Sequence, residues 1–177
     1  DRDRAKTLGL SIFNGMQDRA LAHRLKTDRM AAANLIEDFL DVFPGIKSFR
    51  REAPGVARAR GYIRTLLDRR CYFMDPRSYY MAVSRIIQGS AADQMKLMML
   101  RAFEYCDAHP QVNLLMSIHD SIMFQAEKGF DLSEFQRVLE DNSELELLVP
   151  MPVDLKTGAH WGEASYGAEA YAWREAA

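Results

Sequence analysis

Leu114-Leu115-Met116-Ser117-Ile118-His119-Asp120-Ser121-Ile122-Met123-Phe124 sets two apolar, β-forming runs around one polar pair. Val112 to Ile118 and Ser121 to Gln125 read as strands, which leaves His119 and Asp120 to turn the chain. A two-residue hairpin turn favours Asn-Gly or Asp-Gly, because its central residues take positive φ. His-Asp contains no glycine, so this turn is not chosen for conformational ease, and strain of that kind gathers at functional sites. Such a turn fixes a carboxylate at the tip of a stiff hairpin, beside a core that excludes water. Mg²⁺ takes oxygen ligands and keeps room for substrate phosphates, so Asp120 is a candidate metal ligand. A plain solvent-facing turn fits this stretch equally well.

The pattern on either side is mostly helical. Toward the C-terminus, residues 131–142 carry Leu132, Phe135, Val138 and Leu139 at helical spacing. Val149 to Leu155 reads as a last strand, with Pro150 and Pro152 marking an edge or an irregular entry. Toward the N-terminus, residues 78–108 predict a long helix with Ile86, Ile87, Ala91, Met95, Met98, Met99 and Phe103 as its apolar set. Before it, Tyr62 to Leu67 alternates as a strand, Asp68-Arg69-Arg70 turns, and Cys71-Tyr72-Phe73 returns.

Residues 2–14 predict a helix stopped at Gly15, and 17–25 a short helix with Ala20, Leu21 and Leu25 inward. Thr27 is the expected cap of an amphipathic helix carrying Met30, Ala33, Leu35, Ile36, Phe39, Leu40 and Phe43. Pro44-Gly45 breaks it, and a further helix runs to Gly61 with an interruption or kink expected at Pro54-Gly55. The fold class is therefore α+β: mostly helical, with a small antiparallel sheet bearing the His-Asp turn.

At 177 residues and 48% apolar content the chain can bury one sizeable core, in one unit or two closely packed lobes. It holds no run of 18 apolar residues, so no membrane partner is expected. Cys71 and Cys106 are too few for a disulfide scaffold and suit a reducing compartment. The net charge of −2 hides an asymmetry: residues 1–70 carry fifteen basic against nine acidic side chains, leaving −8 on the other 107. A local basic face is what a phosphate backbone needs, although an ordinary solvated helix surface gives the same count.

Four segments, in order, resemble the DNA polymerases of family A. Ser117-Ile118-His119-Asp120-Ser121 resembles the family's motif C, in which His-Asp-Glu lies between two strands. Arg2-Asp3-Arg4-Ala5-Lys6, followed by Gly15, resembles motif B, the fingers helix that grips the incoming nucleotide. Tyr62-Ile63-Arg64-Thr65-Leu66 with Arg69-Arg70 resembles the Gly-Tyr-x-x-Thr-Leu-x-x-Arg-Arg stretch, and Gln88-Gly89-Ser90-Ala91-Ala92-Asp93 the palm-helix segment. Phe43-Pro44-Gly45 and the stretch from Val153 to Trp161 fit as well, so the resemblance covers residues 2–162.

The resemblance implies fingers helices over residues 1–60 and a palm portion over 61–177. It implies primer-template DNA and dNTP as partners, and Mg²⁺ as cofactor, two ions in the complete enzyme. Arg2 and Lys6 would contact the triphosphate, and two cations one turn apart are suited to clamp phosphates. Leu10 and Asn14 would lie along the same nucleotide-binding face. Asp120 would hold a metal, and His119 would stand near the primer's terminal phosphate, making Asp120, His119 and Lys6 the expected catalytic set. Arg64, Arg69, Arg70, Tyr80, Ser84, Gln88 and His119 would face DNA. The family's second metal-binding aspartate, in motif A, would lie upstream of Asp1. The chain is thus expected to be a piece of a longer polymerase, inactive without its N-terminal remainder, from the cytoplasm of a bacterium or a phage-infected cell.

Several residues depart from the family's pattern. Leu10 stands where many members have Phe or Tyr and some phage members have Leu. Asn14 replaces the usual Tyr, Tyr80 and Ser84 fall where Arg and Asn are common, and Ser121 replaces Glu. Single-subunit RNA polymerases carry His-Asp-Ser at this place, so a fragment of such an enzyme is a second reading. A non-catalytic DNA-binding descendant is a third.

Overall fold

A computed structural model of the chain describes residues 2–145 and 147–166. Its elements are α1 (Arg2–Phe13), α2 (Asp18–Leu25), α3 (Arg29–Asp41), α4 (Pro44–Arg60), β1 (Tyr62–Arg64), β2 (Arg70–Tyr72), α5 (Ala82–Ala108), β3 (Val112–Ile118), β4 (Ser121–Ala126), α6 (Ser133–Glu140) and α7 (Trp161–Tyr166). Short 3₁₀ turns cover Pro76–Met81 and Ser143–Leu145. The described residues form two compact units, one up to Asp93 and one from Gln94 onward, and the division falls within α5. The sheet is not one but two separate antiparallel pairs, β1–β2 and β3–β4.

The first unit is built on the apolar stripes of its opening helices. Ile12, Leu21, Ala32, Ile36 and Leu40 form one core cluster, with Phe39 packed on it. A Cβ at Gly9 would stand 3.2 Å from the Phe39 ring, so the small residue lets α1 lie close to α3. Leu25 and Met30, expected inward, are exposed. Thr27 does not cap α3. Its amide helps close α2 by donating to the Ala22 carbonyl at 3.1 Å, behind Lys26 in the left-handed region. Asp28 caps α3 instead, accepting from the Ala31 amide at 2.8 Å.

Pro54 does not break α4, which runs unbroken from Pro44 to Arg60. Proline there removes the hydrogen bond to the carbonyl four residues back. The burial of Ala53 and Ala57 against Ile63, Phe73, Ala82 and Val83 offsets that loss. Gly61, at φ 75°, ends the helix in a conformation that suits glycine. The strand expected from Tyr62 to Leu67 stops at Arg64. Beyond it Thr65 turns inward, its carbonyl accepts from the Asp68 amide at 3.0 Å, and Leu66 and Leu67 stay exposed.

The second unit packs the inner face of β3–β4 on α6 and the end of α5. Ala102, Tyr105, Val112, Phe135 and Leu139 are its buried centre, with Leu114, Ile122 and Phe124 against them. Met98 joins this cluster, whereas Phe103, expected on the same stripe, points outward at 61% exposure. No strand forms between Val149 and Leu155. Pro150 and Pro152 have no amide to pair. The Val153 carbonyl and amide are taken by the side chains of Gln136 and Glu140, each at 2.9 Å.

Candidate functional site

The hairpin tip follows from strand register. Ile118 faces Ser121, so His119 and Asp120 are the two residues between the paired strands. Of the two, His119 has positive φ, at 55°. Histidine enters the left-handed region more readily than most residues, at a cost of roughly 1 kcal/mol. Between Leu114↔Phe124 and Met116↔Met123 the register slips by one, which makes Leu115 the extra residue of a β-bulge. A bulge bends and twists its strand, and here it lies one short step below the tip. Both tip side chains are exposed. Neither has a hydrogen-bond or ion-pair partner among the described residues. Ser121 is exposed beside them, a hydroxyl where a second carboxylate would have added a ligand.

Among the described residues no three of His, Cys, Asp and Glu gather closely enough to hold a metal ion unaided. Mg²⁺ does not require such a cage, because it keeps several waters and is bound through one or two carboxylates plus substrate phosphates. Asp120, exposed and without a partner among the described residues, fits as one such ligand.

On α1, Arg2, Lys6 and Leu10 recur every fourth residue and so follow one face of the helix, and all three are exposed. Asn14 continues the row, its side-chain amide donating to the Leu10 carbonyl at 2.8 Å. Leu10 and Asn14 then border an open cavity of about 1070 Å³, together with Tyr80, Ser84 and Gln88. Residues some seventy positions apart in sequence thus share one wall. Arg19, His23, Arg24 and Met81 border the same cavity. Sequence reasoning passed over them, since nothing in their spacing ties α2 to the 3₁₀ turn before α5. Apolar Leu10 and Met81 beside amides, hydroxyls and guanidinium groups can take a flat heteroaromatic base and its phosphate.

The basic hairpin β1–β2 divides its arginines into two kinds. Arg64 and Arg70 both stand over the Tyr62 ring, at 5.8 and 5.1 Å from its centroid. Arg64 also pairs with Asp68. Arg69 is turned inward instead. Its Nε donates to Asp93 at 2.7 Å and its Nη2 to the Gly89 carbonyl at 3.1 Å. Asp93 is almost fully buried, also accepts from the Thr65 hydroxyl, and raises the Arg69 pKa above its ordinary value. Ser90 completes the joint by accepting from the Leu66 amide at 2.9 Å. The Gln-Gly-Ser-Ala-Ala-Asp segment therefore binds the hairpin to α5, and Arg69 serves this joint. Lys6 belongs to the first unit, and His119 and Asp120 to the second.

Comparison with known proteins gives these features a context. The family model for DNA polymerase family A matches residues 1–163. DNA polymerase I of Streptococcus pneumoniae (strain TIGR4) is 32% identical over 176 residues, which is 93% of this chain and 20% of that protein. DNA polymerase I of Bacillus caldotenax is 33% identical over 175 residues, again 20% of its length. Among solved structures, the POL domain of Pol1 from M. smegmatis, in complex with DNA primer-template and dNTP, superposes with a TM-score of 0.82 at 26% identity. That match covers 93% of this chain and 31% of the other. The chain spans about a fifth of the length of the curated relatives it matches. With the family model covering nearly all of it, the chain belongs to DNA polymerase family A.

Proposed function

We propose that this chain supplies fingers and palm elements to a template-directed DNA polymerase, which adds dNTPs to a primer 3′ end. The observation that carries the reading is the exposed, unpartnered Asp120 carboxylate at the tip of a bulged hairpin. Residues 1–60 act as fingers helices and 61–177 as the palm portion. Arg2 and Lys6 hold the triphosphate by charge-assisted hydrogen bonds and offset charge on the leaving pyrophosphate. Leu10 packs on the nucleotide sugar, and its similarity to some phage members favours a phage-type enzyme. Asn14 continues the nucleotide-binding face of α1, and Tyr80, Ser84 and Gln88, bordering the same cavity, face template-primer DNA. Arg64 and Arg70 meet backbone phosphates, which positions the duplex without reading sequence.

Arg69 contributes by holding that hairpin in place, while its outer edge remains open to phosphate. His119 orients the primer's terminal phosphate, and Asp120 holds a metal. Two Mg²⁺ ions, when bound, supply Lewis acidity to the attacking 3′-oxygen and the leaving pyrophosphate. A further carboxylate from the N-terminal remainder of the polymerase completes their ligand set.

Primer extension by the polymerase completed with its N-terminal remainder tests the reading. Template-directed dNTP addition is expected, with rNTPs used far less well. Preferential rNTP use would favour an RNA polymerase, which Ser121 beside Asp120 would suit. Lys6→Ala is expected to raise the KM for dNTP by about tenfold or more, the loss of one charge-assisted contact. An unchanged dependence of rate on dNTP concentration would remove the clamp.

A further inference from the structure

Carbonyls at the end of a helix need donors, and α1 has no basic residue in its last turn. Its end closes partly from within. The amides of Asn14, Gly15 and Met16 donate to the carbonyls of Leu10, Ile12 and Ser11, each at 3.0 Å. Arg50, from the middle of α4, adds a side-chain clasp. Its Nη1 donates to the Ile12 carbonyl, and its Nη2 to the Met16 carbonyl at 3.1 Å. These two carbonyls are its only hydrogen-bond partners among the described residues. The guanidinium is half-buried, and burial holds its pKa below the ordinary value. A half-buried cation whose partners are the Ile12 carbonyl in the last turn of α1 and the Met16 carbonyl just beyond it cannot keep both if that end shifts against α4.

We propose that Arg50 is a positioning residue for the incoming nucleotide: it pins the carbonyl end of α1 to α4 and so sets where the other end presents Arg2 and Lys6. The lever is long. From Ile12 back to Arg2 is about 15 Å at the helical rise per residue. A tilt of about ten degrees around the pinned end displaces Arg2 by roughly 2.6 Å, which is enough to lose a hydrogen bond. Both carbonyls matter, because two contacts fix the direction in which α1 leaves its packed end, whereas one contact and the core around Ile12 permit a small tilt. The proposal rests on the reading of Arg2 and Lys6 as the triphosphate clamp.

The test uses the polymerase completed by its N-terminal remainder, with Arg50→Met, Arg50→Lys and Lys6→Ala. Steady-state dNTP titrations give KM and kcat, a binding titration gives the primer-template Kd, and thermal unfolding fixes a temperature at which each variant is folded. Arg50→Met is expected to raise the dNTP KM about tenfold while the DNA Kd stays within about twofold. Arg50→Lys is expected to lie between, since an ammonium keeps the charge but has no fork to span two carbonyls. If Lys6→Ala raises KM and Arg50→Met does not, the positioning role is overturned and the clamp stands. If Lys6→Ala leaves KM unchanged, the clamp itself fails and this inference fails with it. Should Arg50→Met not fold, Arg50→Lys decides: a KM raised at least about twofold supports the role, and an unchanged KM overturns it.

Discussion

At the scale of single residues, the decisive facts concern which polar groups are engaged inside the protein and which are left for a ligand. Arg69 and Asp93 are engaged, and of the two only the Asp93 carboxylate is buried, where it also accepts from the buried Thr65 hydroxyl. Asp93→Ala leaves the buried Thr65 hydroxyl without that acceptor and is expected to lower stability by about 1–2 kcal/mol in denaturant unfolding, and Asp93→Asn by less. Gly89→Ala tests the same joint from its other side. The added Cβ would lie 2.7 Å from the Thr65 Cγ2, so overpacking should cost about 1–3 kcal/mol. His119 and Asp120 are the opposite case, with no partners among the described residues. His119→Gly removes the strain of the left-handed position and should leave stability within about 1 kcal/mol, yet slow primer extension. Unaltered extension by that variant would reduce His119 to a turn residue. The sequence could not separate Arg69 from Arg64 and Arg70, because Asp93 lies 24 positions away and only folding brings them together.

At the scale of elements, apolar periodicity made α1 to α6 legible to within a few residues. The strand runs Val112–Ile118 and Ser121–Ala126 also lie where alternation and β-propensity put them. Capping and register were harder to read. Thr27 and Asp28 are both good caps, and only the closure of α2 decides between them. The bulge at Leu115 leaves no mark in composition, because Leu115 and Met116 look like any apolar pair. Val149 to Leu155 has strand composition, yet α6 side chains took the backbone groups that a neighbouring strand would have paired. The turns at the two ends of α6 carry a pH signature. Asp131 accepts from the amide and hydroxyl of Ser133, at 2.9 and 2.6 Å, and these bonds hold its carboxyl below the usual value. Asp141 does the same with the Ser143 amide at 3.0 Å. A depressed carboxyl stabilises the fold above its unfolded pKa, near 3.8, and that contribution is lost as pH falls through the lower folded value. Melting temperature should therefore decline below about pH 4, and Asp131→Ala with Asp141→Ala should flatten the decline. An unchanged slope in the double variant would mean these turns do not govern it.

At the scale of the whole molecule, four modest motifs in order pointed to the family, and the family match over residues 1–163 agrees with them. Spacing alone could not show that Leu10 and Asn14 share a cavity with Tyr80, Ser84 and Gln88, because that contact is tertiary. The departures from the family pattern at Asn14, Tyr80 and Ser84 all lie on this one cavity. Everything proposed about catalysis nevertheless depends on Asp120. The most direct measurement is single-nucleotide primer extension by the completed polymerase carrying Asp120→Ala, with primer-template affinity measured in parallel. Extension is predicted to fall by about a thousandfold or more, the scale of a lost metal ligand, with DNA affinity within about twofold. Extension at a near-normal rate would contradict the account.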